Sequence, residues 1–514
     1  MNKKRGSRPV AVIDIGSNVV KMRIAQLQGG ECVDLDRLEY PVNLGHEVFG
    51  RGKISFESLK ELSSILHGFS QVMTEYGVTQ YRAVATTVFR EAENRAYILD
   101  QLKIQNNMNV TVLEDDQEKT LIYSEILRSL EDMPPAGALI SYIGTGSIGV
   151  ALYEPPCMVF SQNIPMGSLK LHDMLGSIQQ QTTEFYQVLD EYLSNVIRRL
   201  CIPRLARPIE TVVIASHEFE LIAKLCGASL KKNRYVMDAA LVGELYKTIR
   251  NLPAEKIGMM YGISDAQAES LYSALAIYLR LLTLTSAKTV ISPRIELWDA
   301  LIRQLLFPKS GGEYEAHVRQ GALSCARALA LRYQSDETHC ERVREYACLL
   351  FDKMKKVHGL SLQKKTLLEL ACLLHECGYY VNSKSHLTSS YDLVRNTGLY
   401  GLTAEEVLLV ATITRYNAYT YPRSDDPEYA LLSQKNRLVV SKLVALFQLA
   451  NALDTSQKQK LHSLKVRLKE GVLTVSGETD ENAYLEKWAF ETCAPFFEEV
   501  FGIKPQFVIK SLLF

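Results

Sequence analysis

The feature that most constrains this chain is an internal repeat in its first 300 residues. Apolar runs separated by turn residues predict a strand over 8–15, a Gly16-Ser17-Asn18 turn, a strand over 19–27, a Gly29-Gly30 turn and a strand over 32–38. After Pro134-Pro135 the same order begins again: a strand over 139–143, a turn at Gly144-Thr145-Gly146, and strands over 147–153 and 158–163. Alternating helix and strand patterns follow each meander. In the first half helices fall at 56–75, 91–104 and 117–130, with strands at 81–86 and 110–114; in the second, helices fall at 169–175 and 183–199, with a strand at 211–215. Two related α/β domains facing each other across a cleft account for such a repeat. Clefts of this kind are where ligands bind.

From Gly312 the pattern turns helical, at 313–333, 335–357, 363–375 and 404–414, and the tail pairs strands at 463–468, 472–476 and 505–509 with a helix at 484–501. A chain of 514 residues is long for fewer than three domains. Four are expected, at 1–132, 133–308, 309–436 and 437–514. With 47% hydrophobic and 23% charged residues the chain has material for sizeable cores. Its 58 basic and 58 acidic residues cancel, so no overall field draws it to duplex nucleic acid or an anionic membrane. A polyanion must therefore be held by a local pocket. The longest apolar run, 438–453, is interrupted by Lys442, Gln448 and Asn451, and the basic start lacks a signal-peptide apolar core. A cytoplasmic protein is expected, with its ten scattered cysteines reduced.

The two Gly/Ser turns have a mechanical use. Successive backbone N–H groups in such a turn can form a nest for phosphate oxygens, and glycine permits close approach. One such turn alone says little, since hairpins turn on Gly or Asn for conformational reasons; two in matching places say more.

Ala11-Val12-Ile13-Asp14-Ile15-Gly16-Ser17-Asn18, followed by Val84-Ala85-Thr86-Thr87-Val88-Phe89-Arg90-Glu91-Ala92-Glu93-Asn94, resembles the exopolyphosphatase/guanosine pentaphosphate phosphatase (Ppx/GppA) family. Further matching pieces are Leu121-Ile122-Tyr123, Pro165-Met166-Gly167, Leu374-His375-Glu376-Cys377-Gly378, Arg415-Tyr416 and residues 446–454. The resemblance implies an α/β fold of duplicated actin-like (RNase H-like, ASKHA) domains, then a helical HD-like domain and a small C-terminal α/β domain. It implies a homodimeric hydrolase that removes terminal phosphate from inorganic polyphosphate or guanosine pentaphosphate with Mg2+, while the charge balance above leads to the expectation of no duplex nucleic-acid and no membrane partner. Such chemistry needs positive charge and N–H donors around the terminal phosphoryl group and a carboxylate to orient water.

Carried onto this sequence, Glu118 is the catalytic carboxylate, three residues before Leu121, in a place where an acid also serves the helix dipole. Arg90 is the bidentate phosphate donor. Gly16, Ser17 and Asn18 form the first phosphate loop and Gly144, Thr145, Gly146 and Ser147 the second. Lys21 is either a further phosphate ligand or a solvated strand residue, Asp14 is a metal ligand, and Asp115 and Asp116 are capping acids. The chain also departs from the family. Where the family has Asp-Ile-Gly-Gly-Gly-Ser-x-Glu, this chain has Tyr142 for the Asp and Gly149 for the Glu. A Ser-Gly-Thr step reads Ser216-His217-Glu218, and Leu-Arg-Glu-Gly is replaced by Ile295-Glu296-Leu297-Trp298-Asp299. His217 and Glu218 either rebuild a metal or acid–base site or form a solvated loop or cap.

In the helical part, His339, His375, Glu376 and His386 form an alternative metal cluster, although Arg-Tyr-His reads Arg415-Tyr416-Asn417 and an expected His is Ser389. The alternative is that these histidines cap and pack helices. Lys442, Lys458, Lys460, Lys465 and Arg467 are either a local basic surface or a solvated face. Three functions follow: a phosphoanhydride hydrolase attenuated by the lost carboxylates, a catalytically degenerate sensor of polyphosphate or alarmone, and an HD-type phosphohydrolase.

Overall fold

The structure, a computed structural model, describes residues 8–132, 136–179, 181–182, 184–203, 208–308, 311–416 and 420–511. Pro134-Pro135 and Asn417 lie outside the described residues. The chain forms two compact units, Met1–Val318 and Arg319–Phe514.

The first unit holds two sheets. One contains β1 (Val10–Ile15), β2 (Val19–Gln28), β3 (Glu31–Pro41), β4 (Gln80–Ala85) and β5 (Val110–Val112), in the order β3-β2-β1-β4-β5. The other contains β6 (Ala138–Ile143), β7 (Ile148–Glu154), β8 (Cys157–Ile164), β9 (Thr211–Ser216), β10 (Arg234–Asp238) and β11 (Thr289–Pro293), in the order β10-β11-β9-β6-β7-β8. In each, an antiparallel meander adjoins a parallel strand, β4 beside β1 and β9 beside β6. The repeat is exact in register: Asp14 pairs with Lys21 and Ile15 with Val20, as Tyr142 pairs with Gly149 and Ile143 with Ile148. Both turns close alike, the Gly16 N–H donating to Val19 O at 3.1 Å and the Gly144 N–H to Ser147 O at 2.9 Å.

Continuous apolar runs make β1 and β6 central strands, packed on both faces. The helix Phe56–Glu75 presents Leu59, Leu62, Leu66, Phe69 and Met73 to the first core at helical spacing, and Ser55 caps it by accepting from the Ser58 N–H. The expected helix over 91–104 is two pieces, Thr87–Glu91 and Arg95–Asn106. A helix at Leu44–Arg51 was not expected, because Gly45 and Gly50 dilute its apolar pattern and the short segment ends on Gly52. Between its two parallel strands β9 and β11 the second half has β10 and the helices Ala239–Ile249, Ala254–Tyr261 and Asp265–Leu282, where the first has, after Thr87–Glu91, the single helix Arg95–Asn106 between β4 and β5.

In the second unit the helices Gly311–Arg332, Glu337–His358, Leu362–Leu374, Ala404–Thr414 and Gln434–Ala452 accompany a sheet of β12 (Ser463–Lys469), β13 (Val472–Thr479) and β14 (Lys504–Ser511), with the helix Tyr484–Phe501. One core runs from Ala322 to Phe507, so the helices and the small sheet share it. Residue 437, where a domain start was expected, lies inside the helix Gln434–Ala452. That helix is apolar because Val440, Leu443, Val444 and Phe447 are core residues, while Lys442 donates to His358 O at 2.9 Å. Among the described residues no helix is long and apolar enough to cross a membrane.

Candidate active site

A cavity of about 420 Å³ lies in the first unit. The first hairpin contributes Asp14, Gly16, Ser17, Asn18 and Lys21 to its wall, and the second contributes Tyr142, Gly144 and Thr145. The hairpins touch, Thr145 Oγ1 donating to Ser17 Oγ at 3.2 Å. Gly167 makes the second turn possible, since a Cβ there would sit 2.1 Å from Gly144 O.

Glu118 reaches the cavity from the first turn of the helix Asp115–Ser129, whose start is fixed by a capping box between Glu114 and Gln117. It is buried, and its Oε2 accepts from Arg90 Nη1 at 2.8 Å. The same guanidinium donates to Leu113 O at 2.9 Å, Thr87 Oγ1 at 2.7 Å and Asp115 Oδ1 at 2.9 Å. Burial works against its charge, but Glu118 and Asp115 overcompensate and raise its pKa. Arg90, expected to grip phosphate, is therefore turned onto the protein and holds Glu118. It is not among the cavity-lining residues.

Beside it lies a residue that sequence reasoning missed. Lys119 is 1% exposed, and its Nζ donates to Ser147 Oγ at 2.8 Å. Nζ also lies 3.4 Å from Asp115 Oδ1, 3.5 Å from Glu118 Oε1 and 4.8 Å from the Tyr142 ring centroid. Ser147 in turn donates to Asp115 Oδ1 at 2.8 Å. Burial raises the Asp115 carboxyl, but Lys119 and Arg90 hold it below its ordinary value. Thus Asp115, expected as a cap, joins a buried ionic network. Asp116 accepts from Asn163 Nδ2 at 2.9 Å, and burial beside Asp115 pushes it up to about 7. Ser147 belongs to the network, and Gly146 packs on Thr87, where a Cβ would lie 2.3 Å from Thr87 Cγ2. The second loop offers the cavity only Gly144 and Thr145.

On the first wall, Asp14 Oδ1 is buried without a partner. Burial, then Glu118, pushes this carboxyl up to about 7 against the pull of Lys21. Lys21 is neither solvated nor unpaired: Nζ donates to Glu296 Oε2 at 2.6 Å, lies 3.7 Å from Glu39 and sits 5.1 Å from the Trp298 ring centroid. Arg23 pairs with Asp34 at 2.7 Å and with Asp299. The divergent stretch at residues 295–299 thus supplies the acids that neutralise the β2 bases.

His217 faces open cavity space, yet surrounding protein keeps its pKa low, through desolvation first and Lys21 second. Glu218 is buried; Oε1 accepts from Ser168 Oγ at 3.0 Å, Oε2 has no partner, and burial raises its pKa. Both residues line the cavity, and so do Gln267 and Ser270 from the helix Asp265–Leu282. Nothing in the local pattern of that helix marks them.

Magnesium takes hard oxygen donors, commonly one or two carboxylates besides phosphate oxygens. Asp14 could supply one. On the opposite wall a phenol and a glycine stand at the two carboxylate positions, Ser147 Oγ is committed to Asp115, and an ammonium occupies the space between. The second hairpin itself thus offers a metal no carboxylate, and among the described residues the acids with an unpartnered oxygen on the cavity wall are Asp14 and Glu218.

In the second unit the ligand atoms of His339, His375 and Glu376 lie within 4.8 Å of one another, all three residues buried. His339 Nδ1 bonds Asp454 Oδ2 at 2.8 Å, and Glu376 Oε1 accepts from Gln457 Nε2 at 2.6 Å. His375 Nδ1 bonds Cys372 O at 2.8 Å while Nε2 has no partner; burial and His339 push its pKa down to about 3. His386 stands apart, stacked on Tyr379 with ring centroids 3.9 Å apart.

The chain is similar to several known proteins. An exopolyphosphatase from Cytophaga hutchinsonii superposes with a TM-score of 0.50 at 18% identity, over 58% of this chain and 98% of that one. The Aquifex aeolicus PPX-GPPA enzyme gives 0.49 at 21% identity, over 57% and 98%. An uncharacterised protein of Streptomyces coelicolor is 24% identical over 220 residues, 42% of this chain. The match covers 65% of that relative's own length, just under two thirds. The profile of the Ppx/GppA phosphatase family matches residues 23–295, and that of Ppx/GppA phosphatase domain III matches residues 319–492. With both units matched in order, and the paired hairpins and Glu118 set around one cavity, the chain belongs to the Ppx/GppA phosphatase family.

Proposed function

We propose that the chain hydrolyses the terminal phosphoanhydride bond of inorganic polyphosphate or guanosine pentaphosphate in the cavity of the first unit. The observation that carries this is the position of Glu118, a buried carboxylate on the wall of a cavity that two touching Gly/Ser hairpins also line. In the reaction, water attacks the terminal phosphorus, Glu118 orients it and takes its proton, and the bridging P–O bond breaks. Orthophosphate and a chain one phosphate shorter leave. The amides and hydroxyls of the hairpins hold the phosphoryl oxygens. Arg90 fixes Glu118 in place from behind.

One observation favours a slow enzyme or a sensor. Lys21, Arg90 and Lys119, in or behind the wall, each already have an acid partner. Little unpaired positive charge is left for a polyanion.

Phosphate release from both substrates, by wild type and Glu118→Gln, tests the reading. Wild type should release phosphate and the variant should lose roughly 100-fold or more in kcat with KM little changed. Equal rates would remove Glu118 from the mechanism. Binding without release by either protein would favour the sensor.

A further inference from the structure

We infer that the second unit carries a site for a divalent metal ion of the Zn2+ type, held by His339, His375 and Glu376 and braced by Asp454, and that the ion ties together helix ends from distant parts of the chain. The site needs nothing from the cavity of the first unit and stands whether or not that cavity hydrolyses phosphate.

One nitrogen from each histidine and one Glu376 oxygen lie within 4.8 Å of one another, with all three residues buried. Hydrogen bonds decide which nitrogens are available. His375 Nδ1 faces the Cys372 carbonyl at 2.8 Å, and a carbonyl only accepts, so Nδ1 carries the proton and Nε2 a bare lone pair. That lone pair has no partner, on a side chain that is 6% exposed. A buried acceptor without a donor is rare in proteins, and a metal ion would satisfy it. His339 Nδ1 faces Asp454 Oδ2 at 2.8 Å, leaving Nε2 to face Glu376 Oε1 at 3.9 Å. Zn2+ bonds of about 2.0–2.2 Å to nitrogen and oxygen let two ligands stand up to about 4 Å apart, so this pair is already at bridging distance.

The surroundings hold the set in place. A carboxylate behind a histidine is the usual means of fixing a metal-binding imidazole, and Asp454 takes that place for His339. The Gln459 N–H donates to Asp454 Oδ1 at 2.8 Å and Gln457 Nε2 to Glu376 Oε1 at 2.6 Å. Gln457 and Gln459 have φ of 54° and 47°, a left-handed backbone that residues other than glycine rarely adopt. The loop that adopts it is the one that holds both acids.

Charge calls for a cation there. Asp454 is 1% and Glu376 8% exposed, and among the described residues neither pairs with a lysine or arginine. One imidazolium at His339 balances one carboxylate; a divalent ion between neutral imidazoles balances both. Two imidazole nitrogens beside a carboxylate suit Zn2+ better than Mg2+ or Ca2+, which take oxygen ligands. His339 stands in the first turn of the helix Glu337–His358, His375 and Glu376 follow the helix Leu362–Leu374, and Asp454 follows the helix Gln434–Ala452. An ion at this point pins three helix ends together.

The test uses the untagged full chain, stripped of metal with a chelator and then loaded with one equivalent of Zn2+. Wild type should bind it, show two imidazoles in its zinc X-ray absorption spectrum, and melt at a higher temperature than the stripped protein. Asp14→Asn, in the cavity of the first unit, should leave that binding in place, and His375→Gln should lose it. Asp454→Asn should weaken it roughly 10- to 100-fold, the loss usual when a residue that orients a metal ligand is removed. Should His375→Gln fail to fold, the wild-type spectrum and Asp454→Asn decide. No Zn2+ on wild type, a zinc shell of sulfur or of oxygen alone, or no rise in melting temperature would overturn the inference. So would binding that Asp14→Asn abolishes and His375→Gln keeps.

Discussion

The fifth residue of β1 is Asp14 and the fifth of β6 is Tyr142; their cross-strand partners are Lys21 and Gly149. Around these four residues the backbones are the same, with matching register and matching Gly N–H bonds at the turns. The chemistry differs at both positions. In the first half the ammonium belongs to the hairpin, and its acid, Glu296, comes from the start of the helix Leu297–Leu306. In the second half neither residue of the pair is charged, and the ammonium comes from Lys119 on a helix that precedes the hairpin in sequence. A duplicated fold has kept its hydrogen-bonded frame while each half has settled its internal charge separately. Both ammonium groups are paired within the protein, so in the proposed reaction it is the hairpin amides and hydroxyls that are left to meet phosphate.

The comparison breaks most sharply at Gly149. Gly149→Ala should cost about 3 kcal/mol, the upper end for overpacking, because its methyl meets Lys119 and Tyr123. Chemical denaturation measures this, and Lys119→Ala in the same chain should recover part of the loss. At the corresponding place in the first half, Lys21→Ala should cost less, roughly 1–2 kcal/mol, by leaving Glu296 without its main partner. A loss at Lys21 exceeding that at Gly149 would mean that the second half is the loosely packed one.

The smallest effect is in pH dependence. Asp14 has an ordinary pKa of 3.8 in the unfolded chain and about 7 in the fold, so between these values the native state binds more protons. Stability from this group is therefore greatest in acid and falls as pH rises from about 4 to about 7. Asp14→Asn should flatten that decline, read as a smaller melting-temperature difference between the two ends of the window. Asp116, also raised to about 7, keeps its own share of the slope. An unchanged profile in Asp14→Asn would place Asp14 in an ordinary solvated environment.

Much of the frame was legible because its signals are local. The helices Phe56–Glu75, Ala404–Thr414 and Tyr484–Phe501 begin and end where apolar spacing and end residues put them. The two hairpins follow from paired runs around Gly turns, whereas Glu118 was named from the family resemblance, its place at a helix start alone reading as a partner of the helix dipole. What was not legible depends on residues far apart in sequence. Lys119 looks like a surface partner in an acidic helix start, and it is buried only because Gly149, thirty residues on, leaves room. Arg90 has the sequence context of a phosphate ligand, but Leu113 O, Asp115 and Glu118 capture its guanidinium. Glu218 reads as a cap and stands at a helix N-terminus, yet its unpartnered oxygen is part of the cavity wall. In the second unit Asp454 bonds His339 from 115 residues away, while His386 turns to Tyr379 instead of its expected partners.

The central claim is that the two hairpins and Glu118 surround a single phosphoryl site. A crystal structure with imidotriphosphate, whose P–N–P links resist hydrolysis, tests it most directly. The account predicts the terminal phosphoryl group between Ser17-Asn18 and Gly144-Thr145, within hydrogen-bond reach of both turns and with Glu118 on its open side. Binding outside the cavity of the first unit, or contact with one hairpin alone, would contradict it.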